Sequence, residues 1–222
     1  MDTGPPAEEV AVLRSRNVRT AHPRSEGGTQ RLQALSDGVF AIAMTLLVLD
    51  LSTGDGHGSV AAVLHGQATH LLLYAESMVV LGVLWFGHRN GFEYVRRTDH
   101  VHTWLSLALL AVVALLPWTT RLVAAHLLDP LALTVYNASL LLVTGLDAAT
   151  WWYATGPAAL VADMPGRMVR VSRRLTLLPV GTYLVATGVV WLSVWPTLAL
   201  DVLLPLLPIS GLSYRLQYRF TR

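Results

Sequence analysis

The sequence predicts an all-α, polytopic membrane protein of six transmembrane helices, the first of them lining a central pore in a homo-oligomer. Three observations carry that expectation. The 222-residue chain is 53% hydrophobic and only 14% charged, with a mean hydropathy of +0.49, too apolar for a water-soluble domain of this length. Apolar runs of helical length recur along it, and about 20 residues at roughly 1.5 Å each match a hydrocarbon core of roughly 30 Å. The arginines, finally, gather in alternate connecting segments.

Taken in order, residues 1–30 hold Pro5-Pro6, Glu8-Glu9, several arginines and Gly27-Gly28 without an apolar run. They read as a flexible cytoplasmic tail rather than a cleavable signal. The channel domain is expected over 31–214 and a short basic tail over 215–222. Spans are expected near 33–51, 65–87, 102–126, 131–154, 175–195 and 197–213, with a helix beginning at 60–64 ahead of the second. Pro130, Pro157 and Pro196 punctuate the joins, while Pro117, Pro179 and Pro205 lie inside spans, where neighbouring helices satisfy the freed carbonyls. The segment 157–174 is too polar to cross and is expected at the membrane surface.

All 16 basic residues are arginine, and 15 of them fall in the N-terminal tail, the loops after spans two and four, and the C-terminal tail. Only Arg121 falls elsewhere. With six spans these four segments share one face, which the positive-inside rule makes cytoplasmic. The expected location is the inner (plasma) membrane with both termini inside. The basic segments then serve topology and the lipid bilayer, not nucleic acid. There are no cysteines, so thiolate metal sites and cysteine nucleophiles are excluded.

The first span carries most of the functional information. Arg31 opens it, Ser36-Asp37 follow and Thr45 sits in its middle, although ionisable groups at membrane depth are costly. Leu35, Gly38, Ile42, Thr45 and Leu49 follow the three-four alternation of a helix seam. Asp37 lies off that stripe and is expected to point at neighbouring helices. Phe40 and Val48 are expected across the helix from it. Ile42, Leu46 and Leu49 stand at i, i+4 and i+7. Around a shared axis they make apolar constrictions; otherwise they are an ordinary leucine-rich face.

The motif Arg31-x-x-x-Leu35-Ser36-Asp37-Gly38 and the apolar run to Leu49 resemble the first helix of the transmembrane protein 175 family, that of the endolysosomal potassium channel and its prokaryotic relatives. The usual pattern has Phe where this chain has Leu35. Leu115-Leu116-Pro117-Trp118 and the helix count add to the likeness. The resemblance implies a homotetramer whose pore constriction maps onto Ile42, Leu46 and Leu49, with Thr45 as the polar layer. It also implies a bracing network in which His88 and Trp104 join Arg31, Ser36 and Asp37. Relatives often show Asn where this chain has Ser106. The function so implied is passive conduction of a monovalent cation, potassium, without a cofactor.

Other chemistry is less well supported. His88, Asp99, His100 and His102 lack the spacing of a His-Glu-x-x-His metal site, and a loop with a helix start explains them. Asp50, Asp55 and His57 make either an acidic mouth or ordinary solvated loop. Glu76 and Asp147, single acids within spans two and four, leave open the alternative of a proton-coupled secondary transporter, though no internal repeat is visible. An intramembrane enzyme lacks a nucleophile or metal constellation.

Overall fold

The computed structural model describes residues 23–51, 59–156, 158–161, 164–203 and 205. Its helices are α1 (Pro23–Leu47), α2 (Val60–Gly66), α3 (Ala68–Tyr94), α4 (His100–Ala125), α5 (Pro130–Thr155), α6 (Gly166–Val189) and α7 (Val194–Leu203), with a 3-10 turn over Val48–Asp50 closing α1. The described residues are all-α as expected, apart from a single antiparallel bridge between Val95 and Val161. By length and composition α3, α4 and α5 can each cross a membrane, and α7 is a shorter apolar helix.

The bundle is built around α4 and α5, with α1 and α3 on one flank and α6 and α7 on the other. Several helix starts have a local cause. Ser59 caps α2 by accepting from the Ala62 N–H. Asp129 accepts from the Leu131 N–H, and Pro130 opens α5 where no intrahelical donor is needed. Helix α1 buries Leu32, Ser36, Phe40, Ala43 and Leu47, a helical stripe that joins the core of Leu81, Leu109, Val113, Leu133 and Leu140.

Three boundaries differ from the sequence reading. Helix α1 begins at Pro23, so residues 23–30, expected in the flexible tail, are helical; Thr29 is buried there. The earlier tail, the loop 52–58 with Asp55 and His57, and the C-terminal segment lie outside the described residues. Helix α6 begins at Gly166, within the segment expected to lie at the surface. Its first turns are held to α5, where Arg173 donates to the Thr155 hydroxyl at 2.9 Å and to the Trp152 carbonyl at 3.2 Å. That approach needs a glycine, because a Cβ on Gly156 would meet the Arg173 guanidinium at 2.7 Å. Finally, the chain breaks after Val190 rather than at Pro196, which sits in the first turn of α7. Nothing is lost there, since the first backbone N–H groups of a helix have no intrahelical acceptor.

One end of the bundle gathers two of the basic segments. The Arg96 N–H donates to the Leu160 carbonyl at 3.1 Å, and Val95, Ala154 and Leu160 form a small core beneath. Asp99 caps α4 there, accepting from the His102 N–H at 2.8 Å and from the Tyr153 hydroxyl at 2.7 Å. Burial works to raise the Asp99 carboxyl, but these donors outweigh it and hold it below the usual carboxylate range. A depressed folded value means stability present above the unfolded pKa of about 3.9 and lost as pH falls through the folded value. Asp99→Ala is therefore expected to cost about 1–2 kcal/mol at neutral pH. In thermal melts its deficit against the unaltered protein should narrow below about pH 4.

Candidate functional site

Helix α1 presents two faces. The buried one holds Phe40, Ala43 and Leu47 against the bundle, each about 1% exposed. On the opposite face Leu35, Gly38, Ile42, Thr45 and Leu49 are all exposed, with Ile42 at 60% and Leu49 at 68%. This is the stripe picked out by the three-four alternation, and the described residues of the protomer leave it uncovered. Leu46 lies at its edge, half-buried. The Thr45 hydroxyl donates to the Ile42 carbonyl at 2.8 Å, which leaves its oxygen lone pairs free.

One expectation about this helix needs correction. Phe40 is buried as expected, but Val48 is 46% exposed. An unbroken α-helix already sets Val48 about 120° from Ile42 and only about 60° from Thr45, at the flank of the stripe and not opposite it, and the 3-10 turn over Val48–Asp50 turns it by about 20° more. Leu49 also belongs to this tighter turn.

The bracing network exists in part, with different members. Ser36 is buried and donates to the Leu32 carbonyl at 2.9 Å. His88, 6% exposed, places Nε2 3.3 Å from Ser36 Oγ and Nδ1 3.2 Å from Asp147 Oδ1. Asp147, a carboxylate that only accepts, takes its hydrogen bond from Nδ1–H, and the other ring nitrogen meets the Ser36 hydroxyl. The His88 ring also packs against Phe40 at 5.9 Å and Phe92 at 4.9 Å, and Phe92 packs against His102 at 5.7 Å. One histidine thus links α1, α3 and α5 by hydrogen bonds, and its ring contacts reach α4 through Phe92.

Trp104 is not part of this arrangement: it is 70% exposed. His102 is the buried residue of that turn, and two residues along an α-helix rotate the side chain by about 200°. Trp85 instead donates Nε1–H to Asp37 Oδ1 at 2.8 Å, with the Arg89 guanidinium 5.6 Å from the Trp85 ring. Asp37 does engage a neighbouring helix, but from an exposed position. Arg31 is exposed too, and among the described residues no partner reaches it. Ser106, where relatives often show Asn, is fully buried and its hydroxyl makes no hydrogen bond.

The sequence reading missed Trp85, and missed Asp147 as the partner of His88. Trp85 stands three residues before His88 and so shares its helix face, a signal that was available. The pairing across 59 residues had no local signal. Glu76 belongs elsewhere: twelve residues before His88 on α3, it lies about 18 Å away along the helix axis.

Residues 31–117 match the model of the family described as endosomal/lysosomal potassium channel TMEM175. Over 186 residues the chain is 36% identical to a potassium channel of Streptomyces collinus, covering 79% of this chain and 89% of that one. It is 32% identical over 177 residues to a potassium channel of Chamaesiphon minutus, covering 75% and 86%. The fold is similar to the crystal structure of a lysosomal potassium-selective channel TMEM175 homolog from Chamaesiphon minutus, with a TM-score of 0.72 and 28% identity over 82% of this chain and 96% of that one.

Proposed function

Because the chain belongs to the TMEM175 potassium-channel family, we propose that it is a potassium-permeable channel conducting passively through a pore lined by α1. The observation that carries this reading is the uncovered stripe of α1. A helix anchored by Phe40, Ala43 and Leu47 leaves Leu35, Ile42 and Leu49 exposed on its other side, and none of the described residues of one copy covers them. A symmetric homo-oligomer meets that need by bringing one α1 from each copy to a shared axis. Four copies are proposed. Ile42, Leu46 and Leu49 then form apolar constrictions that resist hydration. Thr45 contributes hydroxyl oxygens that help to replace water around the ion. Ser36, His88 and Asp147 hold the helix from behind, Trp85 and Asp37 hold it at the surface, and Arg31 and Trp104 are left to meet lipid or a neighbouring copy.

The proposed setting is the inner membrane, with α1, α6 and a sixth span that begins in α7 crossing alongside α3, α4 and α5 and both termini cytoplasmic. The meeting of the 95–97 and 158–161 segments at one end supports placing two basic loops on the same side. Reporter fusions at Ser59, Arg97, Asp129 and Gly166 should alternate out, in, out, in. Two consecutive sites on one side would remove the six-span arrangement.

The direct test is ion flux from purified protein in liposomes. Potassium efflux down its gradient, without saturation and without any need for a proton gradient, is the expected result. Uptake that requires an opposing proton gradient would instead indicate a coupled transporter.

A further inference from the structure

Helix α6 carries a second uncovered face, on the flank of the bundle away from α1. Arg167, Arg170 and Arg174 stand at i, i+3 and i+7, and Leu178, Gly181 and Val185 continue the same side of the helix. All lie within about 40° of Arg174 around the helix axis, and all are exposed. The three arginines differ from their neighbour Arg173, which is tied to the Thr155 hydroxyl and the Trp152 carbonyl on α5. Among the described residues no carboxylate pairs with Arg167, Arg170 or Arg174. Like charges one turn apart on a helix repel, so the place calls for an anion.

The length of the face says what kind of anion. Below Arg174 the helix is uncharged from Leu175 to its end at Val189, about 22 Å at roughly 1.5 Å per residue. Trp191 and Trp195 follow, both exposed. At the arginine end Trp152 is exposed, with the Arg173 guanidinium 5.6 Å from its ring. Tryptophans at both ends of an apolar stretch of this length mark the two edges of a bilayer, which sets the arginines at headgroup level. A second copy of α6 fits poorly. Both copies run the same way through a membrane, so a symmetric contact sets arginine against arginine. The proposed pore axis, moreover, runs along α1 on the other flank. Nor does residues 204–222 supply a counter-charge, since that segment contains no Asp or Glu.

We propose that this face binds an anionic phospholipid of the cytoplasmic leaflet. Arg170 and Arg174 hold its phosphate, Arg167 adds charge at the rim, and the acyl chains lie along Leu178, Gly181 and Val185. The assignment rests on the proposed crossing of α6 with Gly166 on the cytoplasmic side. Guanidinium groups suit the task, since each can give a phosphate two parallel hydrogen bonds. Arg170 and Arg174 are one turn apart, about 6 Å along the axis, close enough for long side chains to converge on one headgroup. Net charge decides which headgroup. A choline lipid offers the same phosphate, but its own cation cancels the charge that three unpaired arginines need. Gly181 leaves the path of an acyl chain open, because even a Cβ there would meet nothing within 4 Å.

The test uses the purified full chain in detergent, mixed with equal amounts of phosphatidylglycerol and phosphatidylcholine and read by native mass spectrometry. The unaltered protein should retain phosphatidylglycerol on the order of tenfold more strongly. That preference should shrink as ammonium acetate is raised from about 0.1 M to about 1 M, where the screening length falls from roughly 10 Å to 3 Å, a reading that needs no variant. Arg170→Gln combined with Arg174→Gln should remove most of the preference, and the corresponding pair of lysine substitutions should keep part of it. Arg97→Gln, at an exposed arginine off this face, should leave it intact. Soluble glycerol 3-phosphate at equal concentration should not displace the lipid, because it lacks the acyl chains. Equal retention of the two lipids, full preference in the double glutamine variant, an equal loss from Arg97→Gln, or displacement by glycerol 3-phosphate would overturn the proposal. A reporter at Gly166 separates the two readings. An outward Gly166 overturns the crossing of α6 and the lipid site with it, whereas equal retention with Gly166 inside overturns the lipid site alone. None of these measurements reads ion flux, so the result stands apart from whether the chain conducts.

Discussion

Ile42→Asn raises basal potassium flux through the reconstituted protein on the order of tenfold, equivalent to about 1.4 kcal/mol off the barrier. The reasoning is geometric and then chemical. Ile42 is 60% exposed and lies on the face of α1 opposite its anchors Phe40 and Ala43. A change there leaves the packing of the protomer intact. If copies meet along this stripe, the Ile42 side chains form a ring, and a narrow apolar ring resists wetting. An amide in each copy supplies hydrogen bonds to water and lowers that resistance. Leu46→Asn should act in the same direction but more weakly, since Leu46 is half-buried at the edge of the stripe and part of the change meets the bundle. The control is Leu192→Asn, at a position 87% exposed between α6 and α7, which should leave flux unchanged. Thr45→Ala should preserve conduction while eroding discrimination between potassium and sodium. Liposome flux at matched protein density reads all four. Equal flux from the Ile42 and Leu192 variants would mean that α1 does not line the path.

The stripe was legible in the sequence because it depends only on spacing within one helix. Leu35, Gly38, Ile42, Thr45 and Leu49 share a face whatever surrounds them. Its limits were not legible. Val48 lies at the flank of the stripe, about 120° from Ile42, and the 3-10 turn that ends the helix over Val48–Asp50 is a tertiary adjustment with no local signal. Pro196 misled for a related reason: proline interrupts a helix interior but suits a first turn, and only the break after Val190 decides which applies. The tail boundary was set at Arg31 because the apolar run begins there, yet the helix runs back to Pro23, where residues such as Thr29 find burial that hydropathy does not register. The bracing network was half legible. Ser36 and His88 stood out as polar residues at membrane depth, but their meeting with Asp147 depends on how α5 crosses α3. Trp104 and Trp85 are equally conspicuous as tryptophans. The helix face each occupies relative to the core separates them, and that became clear only once His102 was seen to turn inward.

His88→Ala should be the most damaging single change in that network. The substitution removes the ring that packs on Phe40 and Phe92 and leaves a cavity in a closely packed region. It also strips Ser36 of one partner and leaves the Asp147 carboxylate, whose side chain is 33% exposed, without the imidazole. Truncating a buried aromatic ring costs about 3–5 kcal/mol in other proteins, and a lost hydrogen bond to a carboxylate costs about 1.5–3 kcal/mol. The two losses share one side chain and do not simply add, and partial exposure of Asp147 softens the second. A loss of about 3–5 kcal/mol is therefore expected, a fall of roughly 6–20 °C in melting temperature for a chain of this size. Asp147→Asn should cost less, because the amide oxygen still accepts from Nδ1 and the aromatic packing is untouched. Trp85→Phe should cost least of the three, since it removes one hydrogen bond to an exposed Asp37 and keeps most of the ring surface. The ranking carries the argument more than any one value does. Thermal melts that place Trp85→Phe level with His88→Ala would mean that α1 is fastened at the bundle surface, and that the buried contacts through Ser36 are incidental to holding the helix in place.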